Sequence, residues 1–213
     1  MNEASADPRR FPIGQFVFRE PLSADEVANM VDTIEQFPQH LSRLLSRFTE
    51  EQLDQSYRPG GWSVRQVVHH LADSHMNAYV RFKMALTENL PTIKPYNEMA
   101  WAELLDSKTL PVAVSLNLLS ALHQRWVVLL KAMDDQAYQR RFFHPQHMKT
   151  HSLYELLAMY AWHCNHHYAH IALVVPPDSE TVEPRPARQA KTKSAAPAKK
   201  PAARRPARKS DKK

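Results

Sequence analysis

Four histidines lie within eight residues, at positions 163, 166, 167 and 170. On a helical wheel, His163, His167 and His170 fall on one flank of an apolar stripe, whereas His166 points away from it. His163 and His167 are i, i+4 neighbours, so their rings can converge on one point. Imidazole is a good ligand for Zn²⁺ and similar divalent ions, so this pair would supply half of a tetrahedral site.

A metal site of this kind needs a third ligand from elsewhere, and an earlier segment offers His69, His70 and His75. His75 lies on the apolar stripe of its predicted helix and fits a core position, while His70 lies on a polar stripe. Periodicity does not choose among the three. The absence of a Glu directly after His163 excludes the HExxH metalloprotease motif. Packing or surface roles for these histidines are the alternative interpretation.

Apolar residues at helical spacing predict four long helices that position these side chains. The first begins at Ser23, and Pro38 is expected to kink or interrupt it. The second begins at Ser63, and the third covers about 112–133. The fourth begins at a capping box formed by Ser152 with Glu155 and continues to about residue 175. A short helix is expected at about 97–105, and a loop with room for a short hairpin at 134–151.

The predicted fold class is therefore all-α, a four-helix bundle with a disordered basic C-terminal tail. The predicted boundaries are an irregular lead-in at 1–20, the bundle at 21–175 and the tail at 176–213. The tail carries twelve basic and four acidic residues of the chain's 28 and 22, so the rest of the chain is slightly acidic. The long connection between the second and third helices favours a bundle with a crossover.

Composition excludes several classes of protein. A single cysteine excludes an internal disulfide framework, and three glycines exclude a Gly-rich phosphate-binding loop. The first twenty residues contain no apolar run typical of an export signal. The most apolar window, about 153–175, contains four histidines and is expected to be a buried helix and not a membrane span. A cytoplasmic protein with no membrane partner is expected.

Four sequence blocks resemble the YfiT-like branch of the DinB superfamily. They are PGGWSVRQVVHHLADSH at 59–75, RFK at 81–83, KPY at 94–96 and YAWHCNHH at 160–167. The resemblance covers nearly all of residues 11–174 and implies a four-helix bundle. The family's metal-binding histidine, eight positions after the Trp, corresponds to His70, and its other two ligands correspond to His163 and His167. The basic tail departs from the family's usual ending.

The resemblance also implies a function and a cofactor. Family members hold one Zn²⁺ or Ni²⁺ per subunit, often form homodimers and carry the label of metal-dependent hydrolases, and some are thought to transfer bacillithiol or related thiols. Three neutral histidines leave a coordination position open for water, which an open Zn²⁺ site can activate for hydrolysis of a small-molecule substrate. The same position can hold a thiolate, so a thiol S-transferase is the alternative.

A third hypothesis is a non-catalytic bundle whose basic tail binds nucleic acid weakly through its charge. Within the bundle, Asp73 is a weaker candidate for orienting a ligand or accepting a proton, with a solvated surface carboxylate as the alternative. Cys164 is interpreted as a buried packing residue. Arg81 is interpreted as an ion-paired surface residue or a contact for an anionic substrate. His166 and His170 are interpreted either as residues that contact the metal ligands or as surface residues. Trp62 and Trp162 are interpreted as core or pocket-wall residues.

Overall fold

The computed structural model describes residues 7–175, in which four long helices pack as a bundle. These are α1 (Ala24–Leu45), α3 (Val64–Thr87), α6 (Val112–Lys131) and α8 (Leu153–Ala172). The remaining elements are short: a 3-10 turn (Pro8–Arg10), α2 (Glu50–Leu53), α4 (Glu98–Ala102), α5 (Leu105–Thr109), α7 (Asp135–Tyr138), β1 (Arg141–His144) and β2 (Lys149–Ser152). The all-α four-helix bundle is confirmed, while the tail at 176–213 lies outside the described residues.

Side-chain caps begin three of the long helices. Ser23 with Glu26 and Ser63 with Gln66 form reciprocal capping boxes, which satisfy backbone N–H groups that have no partner within the helix. Ser152 caps α8 by accepting from the backbone N–H of Glu155. The predicted reciprocal box at this third position is wrong, because the Glu155 carboxylate instead pairs with Lys149 and His151.

Helix α1 continues through Pro38 over 22 residues, so the predicted interruption is wrong. A proline inside a helix removes one backbone hydrogen bond and crowds the preceding turn, at a cost of about 3 kcal/mol. Phe37 and Leu41 on either side are 3% and 0% exposed, and Pro38 itself is buried. Burial of large apolar side chains, at about 1.5–3 kcal/mol each, offsets that cost.

Two connections between consecutive long helices run diagonally across the bundle. Helix α3 packs against α6 and α8, and α1 packs against the same two helices, so α1 and α3 lie on one diagonal and α6 and α8 on the other. The long connection from α3 to α6, which contains α4 and α5, joins neighbouring helices. The crossings are therefore α1 to α3 and α6 to α8. The bundle has crossovers as expected, although the long connection that suggested them is not one of them. The expected single helix at 97–105 is divided between α4, capped by Asn97, and α5.

Among the described residues, α6 alone is long and apolar enough to cross a membrane by length and composition. In this structure α6 packs against α1 and α3, with Leu119, Trp126 and Leu130 at 0–1% exposure. These side chains join a core that also contains Ile34 and Leu157. One face of α6 is thus part of the bundle core here.

Strands β1 and β2 form an antiparallel hairpin between α7 and α8, with Phe142 opposite His151 and His144 opposite Lys149. The hairpin is attached to the rest of the chain because Phe143 exchanges backbone hydrogen bonds with residues 91 and 93. The short hairpin that the sequence allowed in this loop is therefore present. It places a second group of histidines beside α8.

Candidate metal centre

Three histidines from two helices converge in the bundle. His70 comes from α3, and His163 and His167 come from α8; one ring nitrogen of each lies within 4.8 Å of the others. The Nε2 atoms of His70 and His163 are 3.3 Å apart. Two nitrogens that each lie about 2.0–2.1 Å from a tetrahedral Zn²⁺ are separated by roughly 3.3 Å. The donor set and its spacing therefore fit a divalent metal without rearrangement of this pair.

The three imidazoles are held in their neutral form. Burial lowers the pKa of His70 to about 4 and lowers the pKa values of His163 and His167 well below the usual range. His70 also lowers the pKa of His163, and His163 and His70 lower the pKa of His167, because imidazolium charges this close repel each other. A neutral imidazole has one nitrogen with a free lone pair, which is the form that binds a metal.

A chain of buried hydrogen bonds determines which nitrogen of His163 carries the lone pair. The Ile34 carbonyl accepts from Nδ1 of His123 at 2.6 Å, so Nε2 of His123 accepts from Nδ1 of His75 at 2.7 Å. Nε2 of His75 then accepts from Nδ1 of His163 at 3.2 Å. Because a carbonyl only accepts and each neutral ring has one N–H, the lone pair of His163 lies on Nε2, facing His70.

A second, shorter series of hydrogen bonds determines the tautomer of His167. Nε2 of His170 donates to the Arg10 carbonyl at 3.3 Å, which leaves its Nδ1 to accept from Nδ1 of His167, also at 3.3 Å. The lone pair of His167 is therefore on Nε2. Hydrogen bonds of this kind, made by the second nitrogen of a ligating histidine, fix its tautomer and ring orientation. The N-terminal segment thus contributes to the site through the backbone of Arg10.

The three histidines open into a cavity of about 480 Å³ with aromatic and cationic walls. The Trp62 ring lies 4.7 Å from the His70 ring, and Tyr57 stacks on His170 at 4.0 Å. The charged side chains that line the cavity are Arg10, Arg58, Arg81 and Glu98. An excess of cationic side chains raises the local concentration of anionic ligands.

The residues around His166 differ from the wheel's expectation. His166 is 6% exposed, because Phe11 and Trp162 pack against its ring at 5.9 and 4.3 Å. The wheel described one helix and did not include the N-terminal segment that covers this face. Nδ1 of His166 is buried without a hydrogen-bond partner among the described residues, although His166, His167 and His170 present nitrogens within 4.8 Å of one another.

The other candidate residues lie in different surroundings. His69 bonds to Ser115 at 2.7 Å and to the Leu110 carbonyl at 3.1 Å, away from the three converging rings. Asp73 is half-buried and is not among the residues that line the cavity; burial and the Asp106 carboxylate raise its pKa to about 6. Cys164 is fully buried, which agrees with a packing role. Arg81 lines the cavity.

Sequence reasoning missed the histidines of the hairpin. His144 and His147 line the same cavity as His70, His163 and His167, and His151 contacts His147. The density of histidines in residues 144–151 was a usable signal, but this segment showed no helical periodicity from which to place them.

Comparisons with known proteins identify the family of this chain. The sequence profile of the DinB superfamily matches residues 33–171. The Bacillus subtilis protein "Putative metal-dependent hydrolase YfiT" is 48% identical over 161 residues, which cover 76% of this chain and 90% of that protein. A "Putative metal-dependent hydrolase" of Bacillus cereus strain B4264 is 50% identical over 162 residues, 76% of this chain and 92% of that protein.

A solved structure gives the same result. YfiT from Bacillus subtilis, described as "a probable metal-dependent hydrolase with an unusual four-helix bundle topology", superposes with a TM-score of 0.77 and 46% identity. The superposition covers 79% of this chain and 96% of YfiT. Sequence profile, close relatives and architecture therefore agree, and the chain belongs to the DinB superfamily.

Proposed function

We propose that this protein is a metal-dependent hydrolase of small molecules, with one divalent metal, zinc in the first instance, held by His70, His163 and His167. The observation that carries the proposal is the convergence of three neutral imidazole nitrogens within 4.8 Å at the wall of a cavity. The names of the relatives support the broad class. Nickel or another divalent transition metal suits the same donors.

The chain's own residues prepare the reaction in three ways. A bound divalent metal supplies a Lewis acid with an open position for the nucleophile. Hydrogen bonds to His75 and His170 keep the lone pairs of His163 and His167, respectively, on Nε2. Trp62 packs against His70, which is 8% exposed. Arg81 and the other cavity arginines attract a substrate that carries negative charge.

A thiol S-transferase acting on bacillithiol or a similar small thiol is the second candidate. One observation favours it: the cavity is poor in carboxylates. Among the residues the structure describes, Glu98 is the single carboxylate that lines it. Coordination to a metal deprotonates a thiol directly, so thiol transfer requires no carboxylate base. The buried Cys164 is not the reacting thiol, because burial raises its pKa well above the usual range.

Two measurements test the metal and the reaction. Elemental analysis of the purified protein should find about one transition metal per chain, lost in His163→Ala and His167→Ala. His69→Ala is the matched control, since it removes another buried histidine and should retain the metal. The loaded protein is then offered simple esters and amides and, separately, a small thiol with an electrophilic acceptor. Thiol consumption without ester or amide cleavage would contradict the hydrolase proposal and support the S-transferase.

Three further proposals concern location and partners. A cytoplasmic location is tested by fractionating cells, and a homodimer by light scattering of the purified chain. The basic residues 176–213 lie outside the described residues, and we propose that they bind nucleic acid through charge alone. Deleting them should abolish retention on DNA at low salt, and unchanged retention of the shortened chain would contradict this proposal.

A further inference from the structure

The hairpin presents a hydrogen-bonded histidine pair backed by a carboxylate. Nδ1 of His151 lies 3.0 Å from Oε2 of Glu155, and Nε2 of His151 lies 3.2 Å from Nδ1 of His147. His151 is 8% exposed and the Glu155 side chain 13%, whereas His147 is exposed. The three side chains therefore form a line from the first turn of α8 to the surface of the cavity.

The direction of these bonds follows from the acceptor at one end. A carboxylate only accepts, so His151 donates from Nδ1 to Glu155, and a ring with a single N–H then has its lone pair on Nε2. His147 must then donate from Nδ1 to that lone pair. Nε2 of His147 is left with a free lone pair on a residue that lines the same cavity as the three converging histidines.

His144 holds the ring of His147 in place. The two rings stack with centroids 3.8 Å apart and planes inclined by 7°. Nδ1 of His144 also accepts from the backbone N–H of His147 at 3.4 Å. His144 is itself buried and lies at the end of β1, next to Phe142 at 2% exposure, so the stack rests on the hairpin's attachment to the core.

We propose that His147 is the general base of the hydrolytic reaction and that His151 and Glu155 are its positioning residues. The inference rests on the proposed hydrolase function. As the oxygen of water forms its bond to the substrate carbonyl carbon, one water proton passes to Nε2 of His147. The bond from that carbon to the leaving group then breaks, and the leaving group takes the same proton. His147 is thereby returned to its neutral form.

Other titratable groups of the cavity suit this role less well. Burial raises the pKa of both Tyr160 and Tyr96, so neither phenol is an effective base near neutral pH. His147 remains neutral near pH 7, because desolvation, His151 and Arg81 lower its pKa. The charged and titratable groups that face His147 are Arg81 on α3, His144 on β1, Lys149 and His151 on β2, and Glu155 on α8.

The first test measures rates of the full-length, zinc-loaded chain on 4-nitrophenyl acetate and 4-nitroacetanilide. His147→Gln should lower kcat by about 10²-fold at unchanged zinc content. Glu155→Gln keeps a hydrogen-bond acceptor but removes the charge that raises the pKa of His147. The acidic limb of its rate profile should therefore move to lower pH. His40→Gln, which replaces an exposed histidine of α1, is the control and should leave kcat unchanged.

The second test reads the tautomer by ¹H–¹⁵N correlation of the histidine rings. His147 should carry its proton on Nδ1, and its pKa should fall in Glu155→Gln. A proton on Nε2, equal kcat for His147→Gln and His40→Gln, or a second zinc lost with His147 would overturn the inference. If the unaltered chain cleaves neither probe, the hydrolase proposal itself fails, and the inference with it. An active chain with an unaffected His147→Gln variant would refute the inference alone.

Discussion

Replacing His123 with phenylalanine should weaken metal binding although His123 does not contact the proposed metal position. The phenyl ring cannot accept from Nδ1 of His75, which currently makes a 2.7 Å bond to His123. His75 then has no reason to keep its proton on Nδ1 and can donate from Nε2 to His163. That reversal places the proton of His163 on Nε2, the nitrogen that must bind the metal.

The size of the effect follows from the general cost of losing such an orienting partner. Removal of a hydrogen-bond partner behind a ligating histidine lowers metal affinity by about 10- to 100-fold. That range corresponds to about 1.4–2.8 kcal/mol of binding free energy. The variant also leaves the buried Ile34 carbonyl without its donor, which costs about 1–3 kcal/mol of folding stability and must be measured separately.

The assay is a competition titration of the metal-free chain against a chromophoric zinc chelator at pH 7.5. His69→Phe is the matched control, since it also removes a buried, doubly hydrogen-bonded histidine but one that does not reach His163. His123→Gln, which retains both a donor and an acceptor, should recover part of the affinity. Equal zinc affinities for His123→Phe and His69→Phe, or an Nε2 proton on His163 in the metal-free unaltered chain, would refute the reasoning.

Three other outcomes are expected. His170→Ala should lower zinc affinity by about tenfold, because His167 loses the acceptor that orients it; an unchanged affinity in the same titration would contradict this. Burial lowers the pKa of His123 to about 4. Between about pH 6.5 and 4, His123 is therefore protonated in the unfolded chain and neutral in the folded chain. The free energy of unfolding of the metal-free chain should therefore fall as pH drops from about 6.5 to 4, by up to about 1.4 kcal/mol per pH unit for this residue, as urea titrations at several pH values can measure. Cys164, at 0% exposure, should react with a thiol reagent in urea and not in the folded chain; rapid native labelling would show that α8 opens locally.

Local signals in the sequence were sufficient for much of the fold. Apolar spacing and the caps at Ser23 and Ser63 predicted two long helices, and both caps are present. The interruption expected at Pro38 failed because intrinsic propensity is a weak prior once both flanks of a residue are buried. The location of the crossings could not be read either, since the choice of neighbouring helix depends on packing between distant segments and not on connection length.

The candidate site, like the fold, was only partly predictable from the sequence. The i, i+4 spacing placed His163 and His167 together because both lie on one helix. It could not separate His69 from His70, which are adjacent on α3 and face different helices in the bundle. The resemblance to a family pointed to His70, and the geometry brings that residue to the other two. The hairpin's His147 could not be placed at all, because strand register and the attachment of β1 to residues 91–93 are long-range features.

The hydrogen-bond chain behind His163 draws on all four long helices. It begins at Ile34 on α1, passes through His123 on α6 and His75 on α3, and ends on α8. Because α1 and α3 lie on a diagonal, the path between them runs through α6, which contacts both. Two helices therefore supply the proposed ligands, but the tautomer of one of them, His163, depends on the assembly of the complete bundle. Metal affinity and folding are coupled through these bonds, so a change in the packing of α1 against α6 alters the site without touching it.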